Sequence, residues 1–246
     1  MDIISAAIGI IGVIVICVIF IVFLLAGMQL LENRLEAITA EEPPYAINKL
    51  TPTQKFILAA SSPTIGNNYK CVIDIWETRN WPDKVQQVKD CFEWGWGELT
   101  YENAKESADK CLNELHNSKY KEYCMASSEV ASRYTKFEIA LFEEVKRNYP
   151  KQGILGWDLV RALSVVGGAY MGGVMEYGEA SQIALKACRI LQANFSSWDD
   201  MVGSYTLGYQ LWRGKRSKDR LKYYKKLKQT AIYQISWDTV LKEEEL

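Results

Sequence analysis

The apolar positions of this chain follow two patterns, one continuous and one periodic. Most residues from Ile3 to Leu25 are Ile, Val, Leu or Phe, and Asp2 is the only charged residue before Glu32. An unbroken apolar run of about 20 residues can cross the hydrocarbon core of a bilayer as a helix. Because only two residues precede the run, it lacks the basic segment of a cleaved signal peptide. The pattern predicts a retained, single-pass transmembrane helix within residues 1–31.

Beyond Pro43 and Pro44, which would end any helix, apolar residues recur at spacings of three and four. This is the period of amphipathic helices, and no β-rich run interrupts it. Two examples are the stripe of Val85, Val88 and Phe92 and the stripe of Ala104, Ala108 and Cys111. The pattern predicts an all-α chain, in which one multi-helix globular domain built from helical hairpins follows the membrane anchor.

Local signals mark where some helices begin. Thr51, Pro52 and Gln54 give a threonine N-cap, a proline at the first helical position and a glutamine three residues after the cap. Ser197 and Asp200 have the same capping spacing before a later helix. Helices are expected at about 69–77, 130–148, 157–170, 177–194 and 198–212.

One short pattern occurs twice, from Gly97 to Ala104 and from Gly173 to Ala180. Glycine, an apolar residue, tyrosine and alanine stand at the same offsets in both segments. Each segment predicts a helix end, a glycine turn and a new helix whose first-turn tyrosine packs back. The domain contains either two related hairpins or two unrelated hairpins of the same common type.

Charge is balanced over the chain but not along it. The 29 basic and 30 acidic residues almost cancel, yet residues 213–228 contain one acid, Asp219, among nine bases. These bases are Arg213, Lys215, Arg216, Lys218, Arg220, Lys222, Lys225, Lys226 and Lys228. Tyrosines and leucines between them suit a cationic amphipathic helix that contacts anionic lipid head groups or an acidic partner, or else a solvated helix face packed by its tyrosines. The near-neutral overall charge and the membrane tether disfavour nucleic acid.

Flanking charge and cysteine spacing predict the orientation. No base precedes the apolar run, whereas Arg34 and Lys49 follow it, which favours a cytoplasmic C-terminal domain. The cysteines beyond the run are odd in number and show no metal-binding or redox spacing. They are Cys71, Cys91, Cys111, Cys124 and Cys188. We interpret them as reduced, buried apolar residues rather than ligands.

The usual ingredients of catalysis are missing from the sequence. It contains no phosphate-binding glycine loop and no paired metal ligands, and His116 is its single histidine. We interpret His116 as the end of a helix, where an imidazolium complements the helix dipole. The sequence therefore predicts no catalytic residue, cofactor or metal site, and it disfavours an enzyme.

Several motifs in the C-terminal half identify a family in combination. They are Gly156-Trp157-Asp158-Leu159-Val160-Arg161-Ala162, Gly172-Gly173-Val174 with Glu179-Ala180, Phe195-Ser196-Ser197-Trp198, and Ser204-Tyr205-x-x-Gly208-Tyr209-x-x-Trp212. With Leu50-x-Pro52-x-Gln54 and Trp94-Gly95-Trp96-Gly97, they resemble the bacterial domain-of-unknown-function family 1266 over residues 50–212. The resemblance implies a bacterial helical domain, cytoplasmic or membrane-tethered, without an assigned reaction.

The candidate site lies within these motifs and contains Trp157, Asp158, Arg161, Trp198 and Tyr205. Asp158 and Arg161 are three residues apart, which places them on one helix face near its N-terminus. If buried, the pair needs further hydrogen bonds, for which Tyr205 and the serines at 197 and 204 are candidates. The cluster is either a polar pocket for a small ligand or peptide, or an ion pair that fastens two hairpins.

The domain organisation follows from these patterns: an anchor at 1–31, a charged, proline-containing connector at 32–49, the family-like domain at 50–212 and a basic helical extension at 213–246. We favour a bacterial inner-membrane protein whose cytoplasmic domain is a protein-interaction module in an envelope, stress or interbacterial-conflict system. The alternatives are a ligand-binding or hydrolytic pocket around Asp158 and Arg161, and an anionic-lipid sensor that uses residues 213–228.

Overall fold

A computed structural model describes residues 50–64, 82–125 and 133–246, all within the second of the chain's two units, Pro43–Leu246. The described residues form helices and no strand, so the predicted all-α class is confirmed for this part of the chain. The α-helices are α1 (Pro52–Ser61), α2 (Pro82–Trp96), α3 (Tyr101–Leu112), α4 (Asn117–Met125), α5 (Lys136–Asn148), α6 (Leu155–Met171), α7 (Tyr177–Asn194), α8 (Trp198–Arg213) and α9 (Asp219–Leu227). Short 3₁₀ turns follow at Ser62–Thr64, Ala231–Gln234 and Glu243–Glu245.

Helix α6 is the centre of the domain. Fifteen of its 17 residues are buried, and only Arg161 and Ser164 are partly exposed. Helices α3, α7 and α8 pack against it, and α1 and α2 complete its surroundings. A helix that is apolar on nearly every side has to be enclosed by others, which explains why this segment forms the core.

Two glycines allow α6 and α8 to approach closely. A Cβ atom at Gly156 would lie 2.7 Å from the carbonyl oxygen of Met201, and one at Gly208 would overlap the side chain of Trp157. Because neither neighbour has room to move away, glycine is required at both positions. The close crossing brings Trp157 against the aromatic side chains of α8.

A smaller apolar cluster lies under α4 and α5. Tyr120 and Phe142 are its largest members, with ring centroids 5.9 Å apart. Leu141, Val145, Ile154 and Leu207 complete it. The cluster attaches this helix pair to the central helices and positions the N-terminus of α4 beside α6.

The segment after Arg213 is part of the main core. Helix α9 buries Tyr223, Tyr224 and Leu227, and the chain beyond it buries Ile232, Tyr233, Trp237 and Leu241. Within this segment the α-helix extends only over Asp219–Leu227, and 3₁₀ turns follow it. The expectation of a helical extension outside the domain is corrected here, because the apolar residues between the bases pack inward.

Local helix signals agree closely with the structure. Thr51 and Gln54 form the predicted capping box, and the Ser197 hydroxyl accepts the amide N–H of Asp200 at 3.1 Å. The predicted helix 177–194 matches α7, whereas α5 begins later than the predicted residue 130, after its cap at Thr135. Local capping bonds form within a few residues, so the sequence is sufficient to find them.

Both copies of the repeated pattern have the predicted turn. Gly97 and Gly173 adopt positive φ angles of 84° and 77°, and α3 and α7 begin soon after them, at Tyr101 and Tyr177. Tyr177 packs back on Tyr170, as predicted, but the Tyr101 hydroxyl instead donates to Glu179 on α7. The turn is therefore shared and the packing of the tyrosine is not.

Some predictions lie outside the described residues. These include the transmembrane helix, the connector, the helix at 69–77 and Cys71. Within the described ranges, no helix is long and apolar enough to cross a bilayer.

Candidate functional site

Asp158 is the most deeply buried charged residue of the candidate site, with no exposed surface. One oxygen, Oδ2, accepts the backbone N–H groups of His116 at 2.9 Å and Asn117 at 2.8 Å. The other, Oδ1, lies 2.8 Å from Nδ1 of the His116 ring. These amides are at the start of α4, where backbone N–H groups have no partner within their own helix and favour a negative charge. Asp158 therefore caps a helix that is more than 40 residues away in the chain.

The ion pair between Asp158 and Arg161, one of the two alternatives for this cluster, is not formed. No acid lies within 4.0 Å of the Arg161 guanidinium in the described part of the chain, because both oxygens of Asp158 are directed to α4. The interpretation of His116 is also wrong: it precedes α4 rather than ending a helix, and its ring bonds to Asp158. The start of α4 is therefore joined to α6 by a carboxylate, two backbone amides and an imidazole.

Arg161 packs against two indole rings. Its Cζ atom is 3.9 Å from the ring centroid of Trp96 and 5.0 Å from that of Trp157. Its one hydrogen bond within the described ranges is long: Nη1 donates to Nε2 of His116 at 3.4 Å. The network thus assigns the ring proton of His116 to Nδ1 and leaves Nε2 as the acceptor. Burial lowers the pKa of Arg161, while nearby Cys111 and Asp158 act in the opposite direction.

Trp157 joins this cluster to α8. Its ring centroid is 5.4 Å from that of Tyr205 and 5.9 Å from those of Tyr209 and Trp212. Trp157 is 5% exposed, and among the described residues no acceptor meets its indole N–H. Trp212 is 42% exposed and carries the aromatic cluster to the protein surface.

The hydroxyl groups that were expected to serve Asp158 bond elsewhere. Tyr205 donates to the carbonyl of Pro63 at 2.9 Å, and burial raises the pKa of Tyr205 to about 12. Ser204 donates to the carbonyl of Gly153 at 2.9 Å, and Ser197 caps α8. Asp158 does not need them because α4 supplies its donors.

Trp198 belongs to a different aromatic cluster. Its ring packs on Phe56, Tyr233 and Trp237, with centroids 4.6, 5.3 and 4.8 Å away. Its indole N–H donates to the carbonyl of Ile235 at 3.0 Å. The structure therefore brings together four of the five predicted residues, and Trp198 instead fastens the C-terminal segment to α1.

Sequence reasoning missed the residues that complete the cluster, namely Trp96, His116 and Asn117. The Asn117 side chain also accepts the backbone N–H of Ile154 at 2.7 Å, which ties the start of α4 to the start of α6. His116 was available as a signal, because a buried carboxylate needs donors and the chain has one histidine. No local spacing indicated Asn117.

The basic segment divides into engaged and free cations. Lys228 pairs with Asp199 and Arg216 pairs with Glu144, both at 2.6 Å, while Arg220 donates to the carbonyl of Thr64 and Arg213 to the hydroxyl of Tyr209. The side chains of the remaining five bases are exposed and bond to none of the described residues. These are Lys215, Lys218, Lys222, Lys225 and Lys226.

The cysteines are only partly as expected. Cys111 and Cys188 are buried, and burial raises the pKa of both thiols, that of Cys111 to about 12. Cys124 is exposed, which corrects the expectation that the cysteines are buried. Across the described ranges, no group of three or more His, Cys, Asp or Glu side chains converges as metal ligands would.

Comparison with known proteins assigns the family. The model of the family described as "Protein of unknown function (DUF1266)" matches residues 84–238. The match begins later and ends later than the predicted range of 50–212, so it includes the basic segment. No curated protein and no solved structure matches the chain. The chain belongs to the DUF1266 family of proteins of unknown function.

Proposed function

We propose that this chain is a binding module held at the inner membrane of a bacterium by the predicted helix within residues 1–31. Its cytoplasmic helical domain binds an acidic segment of a protein partner, in an envelope, stress or interbacterial-conflict system. The observation that carries the proposal is the set of five exposed lysines at 215–226 that bond to none of the described residues. A hydrolytic pocket is less well supported, because both oxygens of Asp158 are already bonded to α4.

The lysines are arranged on one surface. Lys222 lies four residues after the N-cap Lys218, and Lys225 and Lys226 lie three and four residues after Lys222. These spacings place the four lysines on one side of α9. We call this row, with Lys215, the lysine face. Like charges so close together repel one another, and an acidic partner would relieve that repulsion.

Neighbouring side chains of α9 fix the lysine face to the rest of the domain. Tyr224 donates to Asp199 at 2.7 Å, and Arg220 donates to the carbonyl of Thr64 at 2.6 Å. A fixed surface loses less conformational entropy on binding than a mobile one. Nearby in sequence, Trp212 is 42% exposed, and tryptophan is enriched among the residues that dominate protein interfaces.

Anionic lipid is the competing ligand for the same face. Insertion of an amphipathic helix would require Tyr223, Tyr224 and Leu227 to enter the bilayer, but all three are buried in the main core. Lipid binding would then depend on lysine charge alone, at about 1 kcal/mol for each base near the surface. A protein partner uses the same charges and the exposed Trp212 as well, so we favour it.

Zero-length carbodiimide cross-linking in native membranes tests the proposal. The reagent joins amines directly to carboxylates, so it captures a lysine only where an acidic group already contacts it. We expect cross-links from Lys222, Lys225 or Lys226 to Asp or Glu residues of one protein, which weaken at high salt. Replacing Lys218, Lys222 and Lys225 by glutamate removes three reacting amines. Weaker attraction and added repulsion should also reduce the cross-links through the remaining Lys215 and Lys226 about tenfold.

A matched control replaces three exposed lysines outside the lysine face, Lys136 and Lys146 on α5 and Lys151 after it, by glutamate, and it should leave the product unchanged. Sedimentation of the full-length protein, reconstituted in neutral vesicles, with added anionic vesicles distinguishes lipid. Salt-sensitive co-sedimentation that needs the lysine face, without any protein cross-link, would replace the proposal by the lipid hypothesis. Equal loss in both triple variants would contradict a specific role for this face.

A further inference from the structure

Arg161 has a positive charge that the described residues do not directly neutralise. Its guanidinium has five N–H donors, and towards the described residues it uses one of them, in the 3.4 Å bond to His116. The rings of Trp96 and Trp157 pack against the guanidinium, with centroids 3.9 and 5.0 Å from Cζ. Because its N–H groups lie in the plane of the guanidinium, a ligand meets them along its edge. The edge is where an arginine binds an oxyanion through two parallel N–H groups.

The neighbouring carboxylate does not fill this role. Asp158 is one helical turn away, but each of its oxygens already accepts a hydrogen bond from α4. A structural arginine in a partly buried position normally has an acid or several carbonyls around it, because an unpaired charge is costly to remove from water. Here burial lowers the pKa of Arg161, which agrees with incomplete compensation.

A second donor without a partner among the described residues belongs to a ring that packs against the guanidinium. The ring centroid of Trp157 is 5.0 Å from Cζ of Arg161. Trp157 is 5% exposed, and no described residue accepts a hydrogen bond from its indole N–H. Buried polar groups in native proteins nearly always have a partner, so this N–H group calls for an explanation. One acceptor group bound next to Arg161 would account for both observations.

The surroundings are open and partly apolar. Arg161 is half-buried, and the side chain of its neighbour His116 keeps 26% of its surface exposed. Leu115 and Trp212, which adjoin His116 and Trp157 respectively, are 39% and 42% exposed. A ligand can therefore reach the guanidinium across an apolar surface.

We propose that Arg161, with Trp157 beside it, forms a site for a carboxylate carried on an apolar body. A single guanidinium matches the single charge and the planar pair of oxygens of a carboxylate. This inference goes beyond the proposed function and uses none of the lysines of the lysine face, so either one can fail without the other.

Site-resolved modification by phenylglyoxal, which attacks arginine, tests the proposal on the full-length protein in detergent. Benzoate is the probe, and benzamide is its neutral counterpart of the same shape. At a benzoate concentration ten times its Kd, modification of Arg161 should slow about tenfold, because only the free fraction reacts. Arg213, which is exposed on α8, is the internal control and should react at an unchanged rate.

Variants provide a second measurement. Benzoate should raise the melting temperature of the wild type but not that of Arg161→Gln, and Arg161→Lys should lose most of the effect because an ammonium group cannot bond in the same bidentate way. If Arg161→Gln does not fold, protection of wild-type Arg161 from phenylglyoxal by benzoate still tests the proposal. The proposal is overturned if benzoate fails to protect Arg161, if benzamide or Arg213 shows the same protection, or if inorganic phosphate protects and benzoate does not.

Discussion

Two carboxylates in this domain do the same task in different surroundings. Asp158 accepts two backbone N–H groups at the start of α4, and Glu245 accepts the backbone N–H of Thr53 at 3.0 Å, near the start of α1. Each carboxylate reaches a helix that is distant in sequence. Asp158 has no exposed surface, whereas the side chain of Glu245 retains 19% and is close to water.

The difference in burial decides what each contact contributes. When a buried acceptor is removed, its donor N–H groups remain out of contact with water and have no hydrogen-bond acceptor. Near the surface, water can replace the lost acceptor, so removing it costs little free energy. Similar hydrogen bonds should therefore differ several-fold in their contribution to stability, with Asp158 far ahead of Glu245.

The largest expected effect is that of Asp158→Ala. It removes the acceptor of two backbone amides and the partner of the His116 ring, so we expect a loss of about 3–5 kcal/mol in the free energy of unfolding. Asp158→Asn should lose less, because its amide oxygen can still accept from α4. Urea unfolding followed by tryptophan fluorescence measures both. A loss below about 1 kcal/mol for Asp158→Ala would contradict the capping role.

The Asp158 contact also shows how far sequence reasoning reaches. The three-residue spacing correctly places Asp158 and Arg161 on one helix, and the caps at Thr51 and Ser197 are also correct. All of these are local relations. The partner of Asp158, by contrast, lies at His116 and Asn117, and only the packing of α4 against α6 brings them together. Spacing along one segment contains no information on that contact.

The basic segment illustrates the same limit. Its alternation of bases with tyrosines is equally typical of a membrane-surface helix and of a helix packed on a core. The choice depends on whether Tyr223 and Tyr224 find apolar neighbours, and the closure of the C-terminal segment over α1 and α8 provides them. That closure depends on contacts among Phe56, Trp198 and Trp237, the first and last of which are about 180 residues apart in the chain.

A second prediction perturbs the Asp158 junction from its other side. Gly153 has a φ of +62°, and a Cβ atom there would overlap the side chains of Asn117 and Tyr120, which fix the start of α4. Gly153→Ala should therefore destabilise by about 2–5 kcal/mol, the sum of backbone strain and overpacking. Urea unfolding again gives the value.

Gly173 is the matched control for this substitution. Its φ of +77° imposes the same kind of backbone strain, but nothing lies within 4 Å of a Cβ atom built there. Gly173→Ala should lose only the strain, about 1–2 kcal/mol. Equal losses in the two variants would show that the junction at Asn117 tolerates the added methyl group, and that its packing is looser than the contacts indicate.

The smallest expected effect belongs to Glu245 and is best measured as a pH dependence. The hydroxyl and amide of Thr53 donate to the ionised carboxylate, which lowers the pKa of Glu245 below its ordinary value of 4.5. A lowered folded-state pKa means that the stabilisation is complete above pH 4.5 and disappears as the pH falls through the folded-state value. The stability difference between wild type and Glu245→Gln should thus be largest near neutrality and shrink below pH 4.5.

Glu244→Gln is the control, since Glu244 is exposed and bonds to none of the described residues. Its stability difference from wild type should not change over the same range of pH. If Glu245→Gln behaves like Glu244→Gln, the C-terminal segment does not hold the start of α1 through this carboxylate. The two carboxylates would then differ in whether they stabilise a helix start at all, and not only in how deeply they are buried.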